Sequence, residues 1–313
     1  MLESLTLYED VANSVTVLIP VYGPSPEVPQ LISALRADFP EVAVVVVDDC
    51  SPEPFSLAED IAGVRVVHRQ RNGGFGAAVN TGIALVETPL VLVLNSDLEL
   101  PSGFLPTLLR NYRPWYPAVM GVRAEDAAGH VAYAGRYWPT LGHQVTEWLV
   151  PLAGLRHRDS LHERVGHDVA ADRCGTRSRV NWVSGAVMLL PVSEVRAIGG
   201  FDESYFMYCE EVDLQRRLAA AGVPAVLDAS LTVLHEGGGS ADNLRRRQWI
   251  VSARHRYARK FANVHALDLS LRLASWVNFV WNCARRLAGR DVQPLKTLRY
   301  ELGLLRTARK ESR

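Results

Sequence analysis

The stretch Val42-Ala-Val-Val-Val-Val-Asp-Asp-Cys-Ser-Pro52 decides the fold. An apolar run with no polar alternation is a strand covered on both faces, as strands of parallel sheets are. It stops at two aspartates, and open α/β sheets bind ligands beyond the carboxyl ends of their strands. The same arrangement recurs on either side. Val15–Val21 reads as a strand ending in Pro20-Val-Tyr-Gly-Pro24, followed by a helix near Glu27–Asp38 with Leu31, Leu35 and Phe39 at i, i+4, i+8. Val64–His68 is a further strand, leading into Arg69-Gln-Arg-Asn-Gly-Gly-Phe-Gly76 and a helix over Ala77–Val86. Leu90–Leu94 is again continuous and stops at Asn95-Ser96-Asp97. Strands alternating with helices imply an α/β domain with a largely parallel sheet.

The 313 residues allow one large domain or one domain with an appendage. A hydrophobic content of 48% suits a soluble globular chain with a sizeable core. The longest apolar runs are strand-length, far short of a bilayer span. Met1–Asp10 is acidic and lacks an apolar h-region, so no signal peptide is expected. The four scattered cysteines suggest neither a zinc site nor a disulfide framework, and a reducing cytoplasm fits best. The net charge of zero conceals a division. Residues 241–313 hold 17 Lys and Arg against 5 Asp and Glu, a balance of +12, and residues 1–240 carry the opposite −12. A basic end of this kind meets nucleic acid, anionic lipid or the acidic body of its own protein. No recognisable nucleic-acid motif accompanies these arginines.

Residues 123–180 are weakly patterned, and the polar segment 156–167 reads as a loop. His157, His162 and His167 are five apart, neither helical nor strand spacing, which does not suggest a metal site. Val180–Leu190 is strand-like and contains Trp182 and Ser184-Gly185. Beyond Ser240 the pattern is helical. Over Ala266–Arg290, Leu267, Leu271, Ala274, Val277, Trp281 and Ala284 run along one side, flanked by arginines. This is either a core helix or an amphipathic helix in a membrane interface.

Chemistry concentrates in Phe201-Asp-Glu-Ser-Tyr-Phe-Met-Tyr-Cys-Glu-Glu-Val-Asp-Leu-Gln-Arg-Arg-Leu218. Leu214, Leu218 and Ala221 mark the buried stripe of a helix, and Glu211 projects from that same face. Glu210 and Asp213 suit a first helical turn, where carboxylates oppose the helix dipole. Asp213 stands four residues before Arg217, as a solvent-side ion pair would. A carboxylate aimed inward from an aromatic wall acquires a raised pKa and can serve as a base. Asn95 and Asp97 leave an extended backbone on one face, able to hold a hard divalent cation and its water, although such residues also simply end strands. His235, in Leu234-His-Glu-Gly-Gly-Gly-Ser240, can complete a metal site, and its glycines permit a close approach to phosphates. Asn72-Gly-Gly-Phe-Gly76 before a helix resembles a phosphate-cradling loop.

Taken in order, Pro20-Val-Tyr-Gly23, Asp48-Asp49-x-Ser51, Asn72-x-Gly-x-x-x-Ala-x-Asn80, Asn95-Ser96-Asp97, Ser184-Gly185-Ala186, Gly200-Phe-Asp-Glu203, Glu210-Glu-x-Asp-Leu214 and His235 resemble the family 2 glycosyltransferases. The resemblance covers roughly residues 14–240 and is strongest to the bacterial rhamnosyltransferase and galactofuranosyltransferase branches. It implies a GT-A fold in residues 1–240, with a nucleotide-sugar half at about 14–122 and an acceptor half at about 123–240. Residues 241–313 form a basic helical extension. By the same resemblance, Pro20 and Tyr22 line the nucleotide pocket, Asp49 binds the pyrimidine base, and Asn72, Asn95 and Ser96 belong to the donor site. Asp97, aided by His235, would hold Mg²⁺ or Mn²⁺ on the diphosphate. Trp182, Ser184, Gly185 and Ala186 would shape the acceptor side, and Glu211 matches the catalytic base with Glu210 beside it.

Two departures stand out. The family's metal motif often begins with Asp where this chain has Asn95, and its base is often Asp where this chain has Glu211. The longer side chain reaches about 1.5 Å further, so Glu210 and Glu211 could share or exchange the role. The implied reaction is inverting, metal-dependent transfer of a sugar such as L-rhamnose, another deoxysugar or galactofuranose. The donor would be a dTDP- or UDP-sugar, and the acceptor a polyprenyl-linked or other glycan hydroxyl in cell-wall or surface polysaccharide synthesis. The protein would be cytoplasmic, with its basic end against the inner face of the membrane. The alternatives are a nucleotidyltransferase, whose usual basic first loop is missing from Val17-Leu-Ile-Pro-Val-Tyr-Gly23, and a non-catalytic sugar-nucleotide-binding protein.

Overall fold

The computed structural model describes residues 14–155, 157–235 and 242–312; Met1–Asp10 and the glycine run 237–239 lie outside them. The strands are β1 Val15–Val21, β2 Ala43–Asp48, β3 Val64–His68, β4 Leu90–Leu94, β5 Leu98–Glu99, β6 Val119–Glu125, β7 Gly135–Arg136, β8 Arg177–Val180, β9 Trp182–Val183, β10 Val187–Pro191 and β11 Ala225–His235. Nine of them form one sheet in the order β3-β2-β1-β4-β10-β6-β11-β5, with β8 also paired to β11. The pairs β3–β2, β2–β1, β1–β4 and β6–β11 are parallel. β10 runs antiparallel between β4 and β6. β7 and β9 make a separate antiparallel pair.

The continuous apolar strands are covered on both faces. Val15, Val17 and Ile19 of β1, Val44 and Val46 of β2, and Leu90, Leu92 and Leu94 of β4 pack with Leu31, Leu35, Phe104 and Leu105. The alternate residues Leu18, Val45, Val47, Val91 and Val93 pack with Val79, Ile83, Leu214 and Leu218. Each such side chain, taken out of water, contributes about 1.5–3 kcal/mol before chain entropy is counted. The helices Val28–Asp38 and Phe104–Tyr112 therefore cover one face, and Phe75–Ile83 and Glu210–Ala220 the other. The second pair carries the glycine loop and the carboxylates.

By internal contact the chain separates into two compact units. One comprises the described parts of 1–136, 170–206 and 210–240, the other 137–169, 207–209 and 241–313. The second unit is helical: Leu141–Trp148, Asp159–Arg164, Asn243–Phe261, Val264–Leu287 and Pro294–Glu311. Trp148, Val251, Leu267, Leu271, Ala274, Leu304 and Leu305 form its core. The segment 156–167, read as a loop, is thus partly helical. Beyond that short helix Gly166, at φ 98°, reverses the chain and brings His167 Nδ1 to 3.0 Å from His162 Nδ1 with the rings stacked. A spacing of five becomes a contact because the chain turns back, not because a helix continues.

The phase of Val264–Leu287 also differs from its sequence pattern. Leu267, Leu271 and Ala274 are buried, but the inner face then continues through Ser275, Asn278 and Asn282 while Val277, Val280 and Trp281 are exposed. Partners explain the exchange. Asn278 donates to Trp148 O (3.0 Å) and Glu301 Oε1 (3.2 Å) and accepts from Val150 N (2.8 Å), and Ser275 Oγ accepts from Trp148 Nε1 (2.9 Å). Buried amides so satisfied lose little by leaving water.

Candidate active site

The chain enters the Glu210–Ala220 helix through Tyr208 and Cys209, both at positive φ (70° and 64°). Such geometry costs a non-glycine residue about 1–3 kcal/mol, so the surroundings must impose it. Asn80 donates to Phe201 O (2.9 Å) and accepts from Phe201 N (2.8 Å), fixing the start of the segment to the glycine-loop helix. Gly74, at φ 85°, lies so close to Phe206 that a Cβ would stand 1.6 Å from its carbonyl oxygen. Arg217 donates to Ile198 O (3.0 Å) and Gly200 O (2.7 Å). Because Arg217 turns back to those carbonyls, its partner Asp213 (Nε–Oδ2 2.6 Å) is drawn inside and fully buried. The Asp213–Arg217 pair is therefore interior, not solvent-side, and Ala221 lies exposed beyond the helix end.

Glu210 is buried and Glu211 half-buried. In each, Oε2 is out of water and has no hydrogen-bond partner among the described residues. Burial pushes the Glu210 carboxyl well above its usual range, and the Glu211 charge adds to the rise. Burial also raises Glu211, against the pull of nearby backbone N–H groups and the Arg136 guanidinium. Two carboxyls with unpaired oxygens, side by side and short of water, are a costly arrangement that a stable fold does not require.

The structure brings together Asn95, Asp97 and His235, residues 140 positions apart at the extremes. β11 pairs antiparallel with β5, setting His235 opposite Leu98. His235 Nε2 then lies 3.3 Å from Asp97 Oδ1 and 3.3 Å from Asn95 Nδ2. Among the described residues no three His, Cys, Asp or Glu side chains surround a common point. The set therefore offers one carboxylate, one imidazole and, with its amide turned, the Asn95 oxygen. That donor set fits a divalent cation which takes its remaining oxygens from a diphosphate and water.

Asn95 N donates to Ala186 O (2.9 Å), and Gly185 stands against Glu211, an added Cβ there lying 3.9 Å from Glu211 Cβ. A run of contacts thus joins the cation ligands to the carboxylates through Ala186 and Gly185. Ser184 N donates to Ala134 O (2.9 Å), and Trp182 is buried beneath the Arg136 guanidinium, 5.4 Å from its ring centroid.

At the other strand ends, Pro20 is half-buried and Tyr22 exposed. Asp49 is buried and takes up the glycine loop: Gly73 N at 3.1 Å, Gly74 N at 2.6 Å, and Arg69 Nη1. Gly73 N lies 3.1 Å from both carboxylate oxygens, so each oxygen of Asp49 already accepts two contacts from the loop and Arg69. Asn72 Oδ1 accepts from Gly74 N (3.2 Å) inside the loop, and Ser96 lies half-buried between Asn95 and Asp97.

Three residues of the site were not singled out by sequence. Gln215, buried, grips β9 through Val183 N and Val183 O, both at 2.8 Å. Its position one turn after Glu211 was the available signal. Arg136 carries a positive charge that acts on the base candidate, and Asp172 accepts from Ala134 N (3.1 Å) and Gly135 N (3.0 Å) to hold β7. Both come from the weakly patterned region, which offered no periodicity to place them.

Residues 16–172 match the model of glycosyl transferase family 2. The N-acetylglucosaminyl-diphospho-decaprenol L-rhamnosyltransferase of Mycobacterium tuberculosis (strain ATCC 25618 / H37Rv) is 29% identical over 239 residues, covering 68% of this chain and 73% of that protein. Rhamnosyltransferase WbbL of Escherichia coli (strain K12) is 25% identical over 222 residues, covering 67% and 78%. Among solved structures, the Pyrobaculum calidifontis mannosyltransferase PcManGT, in complex with GDP-Man and Mn²⁺, superposes with a TM-score of 0.55 at 16% identity, covering 99% of this chain and 93% of that one. GalNAc-T7 with UDP, GalNAc and Mn²⁺ superposes at 0.54 and 13% identity, over 79% and 47%. These likenesses show the GT-A fold. The chain belongs to glycosyl transferase family 2, and of the reaction classes weighed from sequence the enzyme is a glycosyltransferase.

Proposed function

We propose that this family 2 glycosyltransferase carries out inverting transfer of a sugar, with L-rhamnose the leading candidate, from a dTDP- or UDP-linked donor to a hydroxyl of a polyprenyl-diphosphate-linked glycan. The rhamnosyltransferases among its relatives motivate the sugar, and the N-acetylglucosaminyl-diphospho-decaprenol in the name of the mycobacterial relative motivates the acceptor. The observation that carries the mechanism is the pair of buried, unpartnered carboxyl oxygens on Glu210 and Glu211. Two adjacent buried carboxyls do not ionise together easily. The deeper one, Glu210, keeps its proton, and Glu211, nearer solvent and the Arg136 charge, is the one that ionises.

Glu211 accepts the proton of the acceptor hydroxyl as the oxygen attacks the anomeric carbon from the face opposite the diphosphate. The acceptor would approach Glu211 past Gly185, which packs against Glu211 and the Phe75 ring, with Trp182 buried behind. Asp97, His235 and Asn95 would hold Mg²⁺ or Mn²⁺, which when bound stabilises charge on the departing diphosphate. Asp49, which holds the glycine loop, would meet the pyrimidine base by exchanging one of those contacts, with Pro20, Tyr22 and Asn72 along the donor. Holding donor and acceptor together makes the encounter effectively unimolecular. The reaction belongs at the cytoplasmic face of the membrane, where a lipid-linked acceptor is presented. A donor screen tests the reading: dTDP-rhamnose, UDP-galactofuranose and UDP-N-acetylglucosamine are each offered with a short-chain polyprenyl-diphosphate glycan. Transfer from one donor that ceases on chelation and returns with Mn²⁺ supports it; no transfer from any, or transfer indifferent to chelation, contradicts it.

A further inference from the structure

Among the described residues no helix is long and apolar enough to cross a membrane, yet one helix of the C-terminal unit is apolar on two opposite faces. Its inner stripe, Leu267, Leu271 and Ala274, belongs to the core of that unit. On the opposite side Leu269, Leu273, Trp276, Val277 and Val280 follow at spacings of four residues or fewer, with Leu287 two turns further on, and all are exposed, Val280 to 66% and Leu287 to 91%. Leu273, Trp276, Val277 and Val280, with Pro151 and Trp281, line a shallow apolar groove. Meanwhile Asn278 is completely buried beside exposed Val277. Single exposed apolar residues need no explanation, but a run of them over about three helical turns marks a surface that something covers.

Charge selects the occupant. Arg285 and Arg286 stand in the last turn of the helix, and Arg290, Lys296 and Arg299 follow, the latter three exposed. A second copy on this stripe would bring together two segments each of +12 balance. An anionic bilayer instead receives the apolar stripe among its acyl chains, the indoles of Trp276 and Trp281 at the headgroup level, and the arginines against lipid phosphate. We infer that the outer stripe of Val264–Leu287 is the surface by which this enzyme lies in the interface of an anionic membrane. The observation is independent of the reaction; only its purpose, delivery to a lipid-linked acceptor, rests on the function proposed above.

Flotation of the full chain with phosphatidylglycerol-containing vesicles, against pure phosphatidylcholine, tests the inference. The wild type should float with the anionic vesicles. The triple variant Trp276→Ser, Val277→Asn, Val280→Asn should lose binding about tenfold or more, with an unchanged thermal transition because all three side chains are exposed. Arg286→Gln with Arg290→Gln should reduce the preference for anionic over neutral vesicles. As a second measurement, brominated acyl chains should quench the wild-type fluorescence more than that of the conservative Trp276→Phe variant. No flotation by the wild type, equal flotation by the triple variant, or a wild-type dimer that the triple variant dissolves would each overturn the inference. Transfer to a water-soluble short-chain acceptor should survive the triple substitution. A wild type that floats but transfers no sugar would sink the proposed function and leave the membrane surface standing.

Discussion

Two helices in this molecule contradict the usual sorting of residues, and in opposite senses. Glu210–Ala220, in the sheet-bearing unit, buries carboxyl oxygens with no partner. Val264–Leu287, in the helical unit, exposes Trp, Val and Leu while burying asparagines. Asn278 is bonded through both its amide nitrogen and its oxygen, so its burial costs little. The two glutamates and the outer apolar stripe have no such compensation among the described residues. Uncompensated burial or exposure is what a fold tolerates when a ligand supplies the missing partner. On the function and the surface proposed above, the missing partner is in the first case a substrate hydroxyl and its proton, in the second a lipid surface. The contrast separates function from stability: changes to the first helix should cost activity and gain stability, and changes to the second should leave both largely alone.

The largest expected effect comes from the cation ligands. Asp97→Ala should lower transfer about 10²-fold or more and weaken metal-dependent donor binding. Isothermal titration of donor with and without Mn²⁺ checks this, and metal dependence equal to wild type would count against the assignment. Gly74→Ala should destabilise the protein by about 3 kcal/mol or more, since its Cβ cannot coexist with the Phe206 carbonyl. A denaturant midpoint unmoved by that change would remove the claimed lock on the glycine loop. Glu210→Gln sharpens the contrast most directly. A group with a raised folded-state pKa stabilises the fold at low pH and loses that contribution as pH rises through the raised value. The amide should therefore add about 1–3 kcal/mol at pH 8 and little in acid, read from urea unfolding at both pH values. A loss of stability at pH 8 would contradict the unpartnered carboxyl. The smallest effect concerns Arg136. Its guanidinium holds Glu211 down against burial, so Arg136→Met should move the acid limb of the pH–rate profile upward, and an unmoved limb would detach Arg136 from the base.

Much of this was legible in the chain. β1 and β4 follow their apolar runs to the residue, because strands covered on both faces leave no ambiguity of phase, and the edge strand β3 has the expected bounds as well. Asn95, Asp97 and His235 were each picked out by residue type at a strand end, but only the β5–β11 pairing brings them together. Asp213 was placed on the wrong side because i, i+4 spacing does not show where Arg217 turns. The misread phase of Val264–Leu287 has the same origin. Asn278 looks like a surface residue until Trp148, Val150 and Glu301 converge on it from distant segments. Gln215 and Arg136 act through contacts with β9 that no local pattern announces.

The central claim is that Glu211 is the base. Glu211→Gln keeps the shape of the side chain and removes its capacity to take a proton. Single-turnover transfer from a bound donor to a saturating acceptor, with donor affinity measured in parallel, isolates the chemical step. The account predicts a loss of about 10²–10⁴-fold in transfer rate with donor affinity nearly unchanged. Transfer within a few-fold of wild type would contradict it.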